Sequence, residues 1–268
     1  MDNTVDFTEF KYSKLLDEAI TNEGFISQAY NTFWNYSFGN QLMVTYQCFG
    51  RDIPLGPVST YKKWKELGRT VKKGEKALTM LMPISIKDKG DPDKKFTLFK
   101  PVKRWFVISQ TEVAEGEIDG YVMPEVPRWD KETALEALDV AEIRFDRVEG
   151  NIMGFARSRN VAINPINPAP FKTLIHEIAH VLLKHTTEGS SESILSTDVK
   201  EVEAEGVAYL VNSCLGMKEN LSSSRAYIQG WLRTDSIPEK SVRRIFTTTS
   251  KILKAGLPSA NDKDSQAQ

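Results

Sequence analysis

The chain has 268 residues, of which 40% are hydrophobic and 26% charged, with a formal net charge of −1. This composition allows ordinary cores in one large or two modest domains. No apolar stretch approaches the roughly 20 residues that span a bilayer, and the acidic start is unlike a signal peptide, so we expect a cytoplasmic protein with no membrane partner. Cys48 and Cys214 are too few for a disulfide framework.

Charge is unevenly distributed along the chain. Residues 51–105 contain 15 Lys or Arg and 6 Asp or Glu, whereas residues 106–150 contain 4 and 12. One basic block therefore lies inside a nearly neutral protein.

The first part of the chain is predicted to be helical and then to change to strands. Residues 8–49 repeat apolar side chains at helix-like intervals, and a short helix at 62–67 should end at Gly68. Two strands are expected at 77–84 and 103–109, joined by a charged loop at 87–95.

The acidic residues 112–127, with their glycines and prolines, have the composition of an interdomain linker. After the linker we predict a helix from Asp130 to Ala141, strands at 143–148, 152–157 and 161–163, and helices at 223–232 and 238–253. A polar tail, expected to be disordered, ends the chain. These elements predict an α+β protein of two domains, each combining helices with a small sheet.

The three histidines of the chain fall within ten residues. His176 and His180 belong to a His-Glu-x-x-His (HExxH) run, and positions four apart share a helix face, so both imidazoles can hold one metal ion. Neutral imidazoles bind zinc without cancelling its charge, and Glu177 beside them can act as the general base of a hydrolysis. Zn²⁺ is the expected cofactor, although the same ligands accept Mn²⁺ or Co²⁺.

The next predicted helix, which begins near Asp198, offers a third ligand. Glu201 and Glu205 share a face, so one can coordinate the metal while the other hydrogen-bonds the free nitrogen of a ligand histidine. Glu203 is expected to point into solvent, and His185 to be a surface or helix-end residue without a role at the metal. An ordinary solvated helix start would also explain this acidic cluster.

Residues 201–205 resemble the acidic pair that follows the HExxH helix in gluzincin peptidases. The resemblance implies that Glu201 is the third metal ligand, with His176 and His180, and that Glu205 supports a ligand histidine. Glu177 would be the catalytic residue.

Within the basic block, cations alternate with aromatic side chains between Thr60 and Lys76. Cations can follow a phosphate backbone while rings such as those of Tyr61 and Trp64 stack on bases, which is how single-stranded nucleic acid is bound without reading its sequence. A solvated basic face with Trp64 in the core would give the same pattern.

Several segments resemble the N-terminal domain of ArdC-type antirestriction proteins, namely residues 34–40 with Gln47, residues 64–76 and residues 106–111. The C-terminal half is similar to the zincin-like metallopeptidase domain of that family, and more loosely to ImmA/IrrE peptidases, at residues 154–156, 176–180, 201–205 and 227–231. The segments follow one another in the same order as in the family.

The resemblance implies an antirestriction protein that binds incoming single-stranded DNA of a mobile element and protects it. Together with the predicted linker, this resemblance implies four segments: a DNA-binding domain at 1–111, the linker at 112–127, a metallopeptidase domain at 128–256 and a tail at 257–268. The DNA-binding residues that it implies are Tyr36, Asn40, Trp64, Lys65, Arg69, Lys72, Lys73 and Lys76.

The alternative hypothesis is a DNA-sensing cytoplasmic zinc metalloprotease that cleaves a regulatory protein. Glu177 favours catalytic competence, because a purely structural zinc site needs no general base. A nuclease fits less well, since two histidines and one glutamate suit a one-metal peptidase site better than a two-metal phosphate site.

Overall fold

The computed structural model describes residues 11–87, 90, 95–119, 121–147, 151–187, 195–217, 221–234 and 236–258. The fold mixes helices and strands, which confirms the predicted α+β class. The chain divides into two compact units: the first covers residues 28–125, and the second combines residues 11–27 with the chain from residue 126 onward. Most of the predicted loop at 87–95 and of the predicted tail lies outside the described residues.

The helices of the described residues are α1 (Tyr12–Thr21), α2 (Phe25–Phe33), α3 (Phe38–Gly50), α4 (Tyr61–Glu66), α5 (Lys131–Leu138), α6 (Pro170–Leu182), α7 (Thr197–Cys214), α8 (Leu221–Arg233) and α9 (Glu239–Ala255). The strands are β1 (Val58–Thr60), β2 (Arg69–Val71), β3 (Leu78–Lys87), β4 (Lys95–Val107), β5 (Thr111–Val113), β6 (Ala141–Glu142), β7 (Gly154–Arg157) and β8 (Asn160–Ile163). None of these helices is long and apolar enough to cross a membrane.

The first unit is built on an antiparallel sheet with the strand order β1-β4-β3, and on a separate ribbon of β2 and β5. Helix α3 packs on β3. A core cluster joins helix and sheet residues and contains Phe33, Val44, Cys48, Val58, Leu78, Met80, Trp105 and Val107. Gly74 has a φ of +92°, a left-handed conformation that glycine adopts without strain.

The hairpin of β3 and β4 is longer than the sequence predicted. The paired residues 82–87 and 95–100, which we call the β-arm, extend beyond the core cluster, and from Pro83 and Lys100 outward their side chains are exposed. Their content of isoleucine, phenylalanine and threonine favours extended backbone even without burial.

The second unit packs helices on a small sheet of order β6-β8-β7, in which β6 is parallel and β7 antiparallel to β8. Helix α6 packs against β7, β8 and α7, and α7 also contacts α8 and α9. The sheet therefore supports α6 directly, and α6 carries the HExxH motif.

Residues 11–27, which the sequence interpretation placed in the DNA-binding domain, group with the second unit. Helix α1 packs against α8 and α9. The backbone N–H groups of Tyr12 and Ser13 donate to the carboxylate of Glu239 at 2.9 and 3.0 Å. That carboxylate satisfies two of the N–H groups that the start of a helix leaves free.

The strand predicted at residues 143–148 is wrong over its described residues, 143–147. The strand register pairs Ala141 and Glu142 with β8, and the N–H of Ile143 makes one more bond, to the carbonyl of Val161 at 2.8 Å. Residues 143–147 have no strand conformation. The preceding helix also ends earlier than predicted, because Asp139 adopts a left-handed conformation with φ +51°. β8 has four residues and pairs with β6 through Asn160 and Val161, so the parallel ladder is short.

Candidate metal centre and nucleic-acid interface

Helix α6 holds the two motif histidines on one face. Pro170 occupies the first turn, where a helix tolerates proline. Elsewhere the helix buries mainly apolar side chains, with Leu174, Ile175, Ile178, Ala179 and Val181 in the core. The helix is thereby fixed in rotation, and the Nε2 atoms of His176 and His180 lie 3.0 Å apart.

Helix α7 brings a carboxylate to the same point. Ser196 caps this helix by accepting a hydrogen bond from the backbone N–H of Val199. One turn later, Oε2 of Glu201 lies 3.4 Å from Nε2 of His176, and Oε1 lies 3.5 Å from Nε2 of His180. His176, His180 and Glu201 therefore form a group that could hold one metal ion.

The spacing of these three residues fits a tetrahedral ion. Metal–ligand bonds of about 2.0–2.1 Å place the ligand atoms of a tetrahedral zinc site about 3.3–3.4 Å apart. The distance of 3.0 Å between the imidazole nitrogens, and those of 3.4 and 3.5 Å from them to the two different oxygens of Glu201, lie around this value. Glu201 keeps 46% of its side-chain surface exposed, so a further ligand can reach the group from solvent.

His176 is supported on its other nitrogen. Its Nδ1 lies 3.1 Å from Oε2 of Glu205, and Oε1 of Glu205 pairs with Nζ of Lys172 at 2.7 Å. Burial alone would raise the pKa of Glu205, but its hydrogen bonds with His176 and Lys172 lower that pKa to about 2. Lys172 was not singled out in the sequence, although its position four residues before His176 places it on the same face of α6.

The electrostatics of the group favour a cation. Burial lowers the pKa of both histidines; at His176 the hydrogen bonds of Glu201 and Glu205 outweigh this effect and raise the pKa to about 9. At His180, burial and the neighbouring His176 lower the pKa to about 4. The carboxylates thus stabilise positive charge between two closely spaced imidazoles, and a divalent ion would satisfy the same preference.

Glu177 is buried beside His176 and is not one of the three grouped ligands. Burial raises its pKa to about 7; the charge of His176 opposes this rise and that of Glu201 adds to it. A carboxyl group with a pKa near neutrality can both accept and release a proton, as a general base must.

The expectation that Glu203 points into solvent is wrong, and His185, which lies just beyond the end of α6 as one of its two predicted positions required, is not a surface residue. The side chain of His185 is only 2% exposed and that of Glu203 is 0% exposed. Nδ1 of His185 lies 3.0 Å from Nδ1 of His180, and its Nε2 lies 2.9 Å from Oε2 of Glu203. Arg244 of α9 pairs with the same Glu203 oxygen at 3.2 Å.

The end of α6 explains why His185 was missed. The helical rule of 3.6 residues per turn rotates residue 185 away from the face of His180, but α6 ends at Leu182. Lys184 then adopts a left-handed conformation with φ +61°. The chain turns back, so that the N–H of His185 donates to the carbonyl of His180 at 2.9 Å.

Four of the eight residues expected to bind DNA are buried or partly buried and make structural contacts inside the first unit. Trp64 is fully buried and its Nε1 donates to the carbonyl of Phe106 at 2.9 Å. The hydroxyl of Tyr36 donates to the carbonyl of Val58 at 2.8 Å. Asn40 pairs with the backbone of Leu81.

Arg69 is the fourth of these residues. It is buried, its Nε donates to the hydroxyl of Thr111 at 2.8 Å, and it forms an ion pair with Asp119 at 2.7 Å. The remaining four residues are exposed lysines, Lys65, Lys72, Lys73 and Lys76. Of these, Lys72 donates to the carbonyl of Ser109 at 2.9 Å.

Comparisons with known proteins agree with this architecture. Residues 17–118 match the model of the N-terminal domain of anti-restriction factor ArdC. No curated protein matches the sequence. The Mn(II)-bound crystal structure of the antirestriction ArdC protein from plasmid R388 is similar in fold, with a TM-score of 0.57 and 18% identity over 96% of this chain and 99% of that chain.

The metal-free structure of the same R388 protein has a TM-score of 0.52 and 18% identity, covering 96% of this chain and 98% of that chain. The likeness therefore runs through both units and not only through the matched N-terminal residues. Residues 17–118 therefore match the N-terminal domain of ArdC, and the chain resembles the R388 ArdC protein in fold over almost its whole length.

Proposed function

We propose that this protein binds incoming single-stranded DNA of a mobile element with its first unit, protects that DNA from restriction, and holds a divalent metal ion in its second unit. The ArdC resemblance supports the antirestriction role. The observation that carries the DNA-binding part is the β-arm, because exposed apolar side chains and cations occur there together.

The β-arm presents an unusual amount of apolar surface. Register pairs Ile84 with Leu98 and Ile86 with Phe96, and directly paired residues share a face of an antiparallel hairpin. All four are exposed, with values from 36% to 53%, and Phe99 on the opposite face is 58% exposed. An exposed apolar face of this kind marks an interaction site.

The charge of the β-arm favours an anionic partner. Its described residues include Lys87, Lys95 and Lys100, and β4 adds Lys103 and Arg104. Among the described residues of β3 and β4 there is no acidic side chain. An anion that also offers flat apolar surfaces is single-stranded nucleic acid, whose bases are free to stack.

Phosphate contacts outside the β-arm are assigned to the exposed lysines Lys65, Lys72, Lys73 and Lys76. Trp64 and Arg69 support the fold of the unit instead, because both are buried. Bases would stack on the phenylalanines of the β-arm, and not on Trp64 as the sequence interpretation expected.

For the second unit we propose that His176, His180 and Glu201 hold the ion, with zinc expected and Mn²⁺ or Co²⁺ as alternatives. An ion bound there would supply Lewis acidity to a hydrolytic reaction. Glu177 would accept a proton and later release it, which suits its pKa of about 7. Glu205 would hold His176 in the orientation for binding.

The second candidate function is a DNA-sensing metalloprotease that cleaves a regulatory protein. One observation favours it: Glu177 is buried against the candidate ligands. A centre that only stabilised the fold would not need this carboxyl group.

The DNA-binding proposal is tested by titrating a fluorescent single-stranded oligonucleotide across a salt series. The variants are Phe96→Ala, Phe99→Ala and the double substitution, with Phe49→Ala as the control, since Phe49 is a 49% exposed aromatic residue of the first unit outside the β-arm. Because stacking on an aromatic ring contributes about 1–3 kcal/mol per base, each stacking ring removed should weaken binding by about 5- to 150-fold.

Phe96 and Phe99 lie on opposite faces of the arm, so the single variants identify the face that the bases contact. Phe49→Ala should bind like wild type. Absence of binding by wild-type protein would overturn the DNA-binding function. Wild-type affinity in the double variant would remove the β-arm from the interface and leave the exposed lysines as its remaining candidates.

A further inference from the structure

We infer that His185 is a positioning residue for the metal ligand His180, and that Glu203 and Arg244 hold it in place. The inference rests on the proposed metal centre and extends it to residues beyond the HExxH motif and the two face-sharing glutamates. It links the centre to helix α9, which no motif in the sequence connects with metal binding.

The hydrogen bonds form one consistent chain. If His180 binds a metal through Nε2, the proton of its imidazole must reside on Nδ1, which then donates to Nδ1 of His185 at 3.0 Å. His185 must therefore carry its own proton on Nε2, which donates to the carboxylate of Glu203 at 2.9 Å. His180 is then fixed in the tautomer that leaves Nε2 free. Nη2 of Arg244 also lies 3.5 Å from Nε2 of His185, but the carboxylate of Glu203 is the nearer partner of that nitrogen.

Glu203 is the anchor of this chain. Its side chain is fully buried, and a buried carboxylate is costly unless it is paired and hydrogen-bonded. Arg244 provides the counter-charge at 3.2 Å and also donates to the carbonyl of Leu183 at 2.7 Å. The guanidinium group therefore holds both Glu203 and the end of helix α6.

The two ligand histidines are supported in parallel ways. Nδ1 of His176 meets Glu205, which pairs with Lys172, whereas Nδ1 of His180 meets His185, which leads to Glu203 and its cation. The contacts of each ligand histidine thus lead to a carboxylate of α7, and a basic residue neutralises that carboxylate. Such outer contacts orient the ligand ring and raise its basicity, and losing one typically weakens metal binding about 10- to 100-fold.

The test uses full-length protein with His185→Phe, which removes both nitrogens, and His185→Gln, which retains an amide oxygen as acceptor. Thr186→Ala is the matched control, because Thr186 is the next residue and hydrogen-bonds the carbonyl of Ser158 instead. Zn²⁺ affinity is measured by competition with a chromophoric chelator, the ligand field by the visible spectrum of the Co²⁺ form, and folding by circular dichroism of the metal-free protein.

We expect His185→Phe to bind Zn²⁺ about 10- to 100-fold more weakly and to shift the Co²⁺ spectrum. His185→Gln should restore part of the affinity, and Thr186→Ala should leave affinity and spectrum unchanged. A folded His185→Phe variant with wild-type affinity and spectrum would overturn the positioning role while leaving the metal centre intact.

Should His185→Phe fail to fold, Glu203→Gln decides the matter, because it keeps the volume of the side chain and removes its charge. The positioning role requires weaker Zn²⁺ binding in that variant, and unchanged binding overturns it. Wild-type protein that binds neither Zn²⁺ nor Co²⁺ overturns the proposed centre itself, and the inference with it.

Discussion

The side-chain amide of Asn40 pairs with the backbone of Leu81 as a neighbouring strand would. Its Oδ1 accepts from the Leu81 N–H at 2.8 Å, and its Nδ2 donates to the Leu81 carbonyl at 3.0 Å. Gln47 repeats the arrangement at Thr79, with distances of 2.9 and 2.8 Å. β3 is an edge strand of its sheet, so α3 satisfies backbone groups that an open edge would leave unpaired.

This pairing predicts that Asn40 and Gln47 contribute to stability. Asn40→Ala and Gln47→Ala should each lower the free energy of unfolding by about 1–3 kcal/mol, because two backbone groups lose their partners. Gln47→Ala should cost more, since Gln47 is buried. Urea unfolding measures the effect, with the exposed Gln28→Ala as the control. Weaker DNA binding by Asn40→Ala at unchanged stability would instead assign Asn40 to the DNA interface.

The exposed lysines give a separate prediction for DNA binding. Lys72→Glu combined with Lys73→Glu should weaken binding of single-stranded DNA and reduce the slope of log affinity against log salt by about 1 for each lysine that contacts a phosphate. The charge-matched control is Lys251→Glu with Lys254→Glu, two exposed lysines of α9. If the first pair has no larger effect than the control pair, Lys72 and Lys73 form only a solvated face.

The i, i+4 spacing correctly placed His176 with His180 on one face of α6 and Glu201 with Glu205 on one face of α7. The structure brings these two faces together, whereas the choice of Glu201 as the ligand came from the gluzincin resemblance and not from spacing. His185 escaped the same reasoning because a left-handed residue reverses the chain between it and α6. Its contact with Glu203 depends on tertiary packing, which periodicity does not encode.

The basic block shows the opposite difficulty. Its alternation of cations and aromatic residues was compatible with a binding face or with a core, and the burial of Trp64 favours the core. In the β-arm the chain alternates in the same way, but there the rings are exposed. The sequence pattern is the same in the basic block and in the β-arm. Whether the rings are buried or exposed depends on where each segment lies relative to the core of the first unit.

Metal binding should stabilise the second unit through mass action. At an ion concentration 100 times the dissociation constant, the free energy of unfolding should rise by about 2.7 kcal/mol. His176→Ala should abolish this gain because a ligand is lost, whereas Glu177→Gln should retain it and remove any peptide cleavage. Thermal unfolding with Zn²⁺ and with a chelator measures the stability gain in both variants. If the unfolding of Glu177→Gln no longer responded to Zn²⁺, Glu177 would be a metal ligand instead.

Helix α9 ends against the indole of Trp129, which yields a prediction independent of function. A Cβ atom on Gly256 would overlap the indole ring, whose Nε1 donates to the carbonyl of Ile252 at 3.1 Å. Gly256→Ala should therefore displace the ring, break that hydrogen bond and lower the free energy of unfolding by about 1–3 kcal/mol.

Gly230, within α8, is the matched control for this substitution. A Cβ there meets no atom within 4 Å, and alanine is the better helix former by about 0.8–1.0 kcal/mol. Gly230→Ala should therefore stabilise the protein slightly while Gly256→Ala destabilises it, as measured by the urea midpoint and by Trp fluorescence. Equal midpoints for the two variants would mean that Trp129 can move aside without cost, and that the end of α9 is not held by close packing at Gly256.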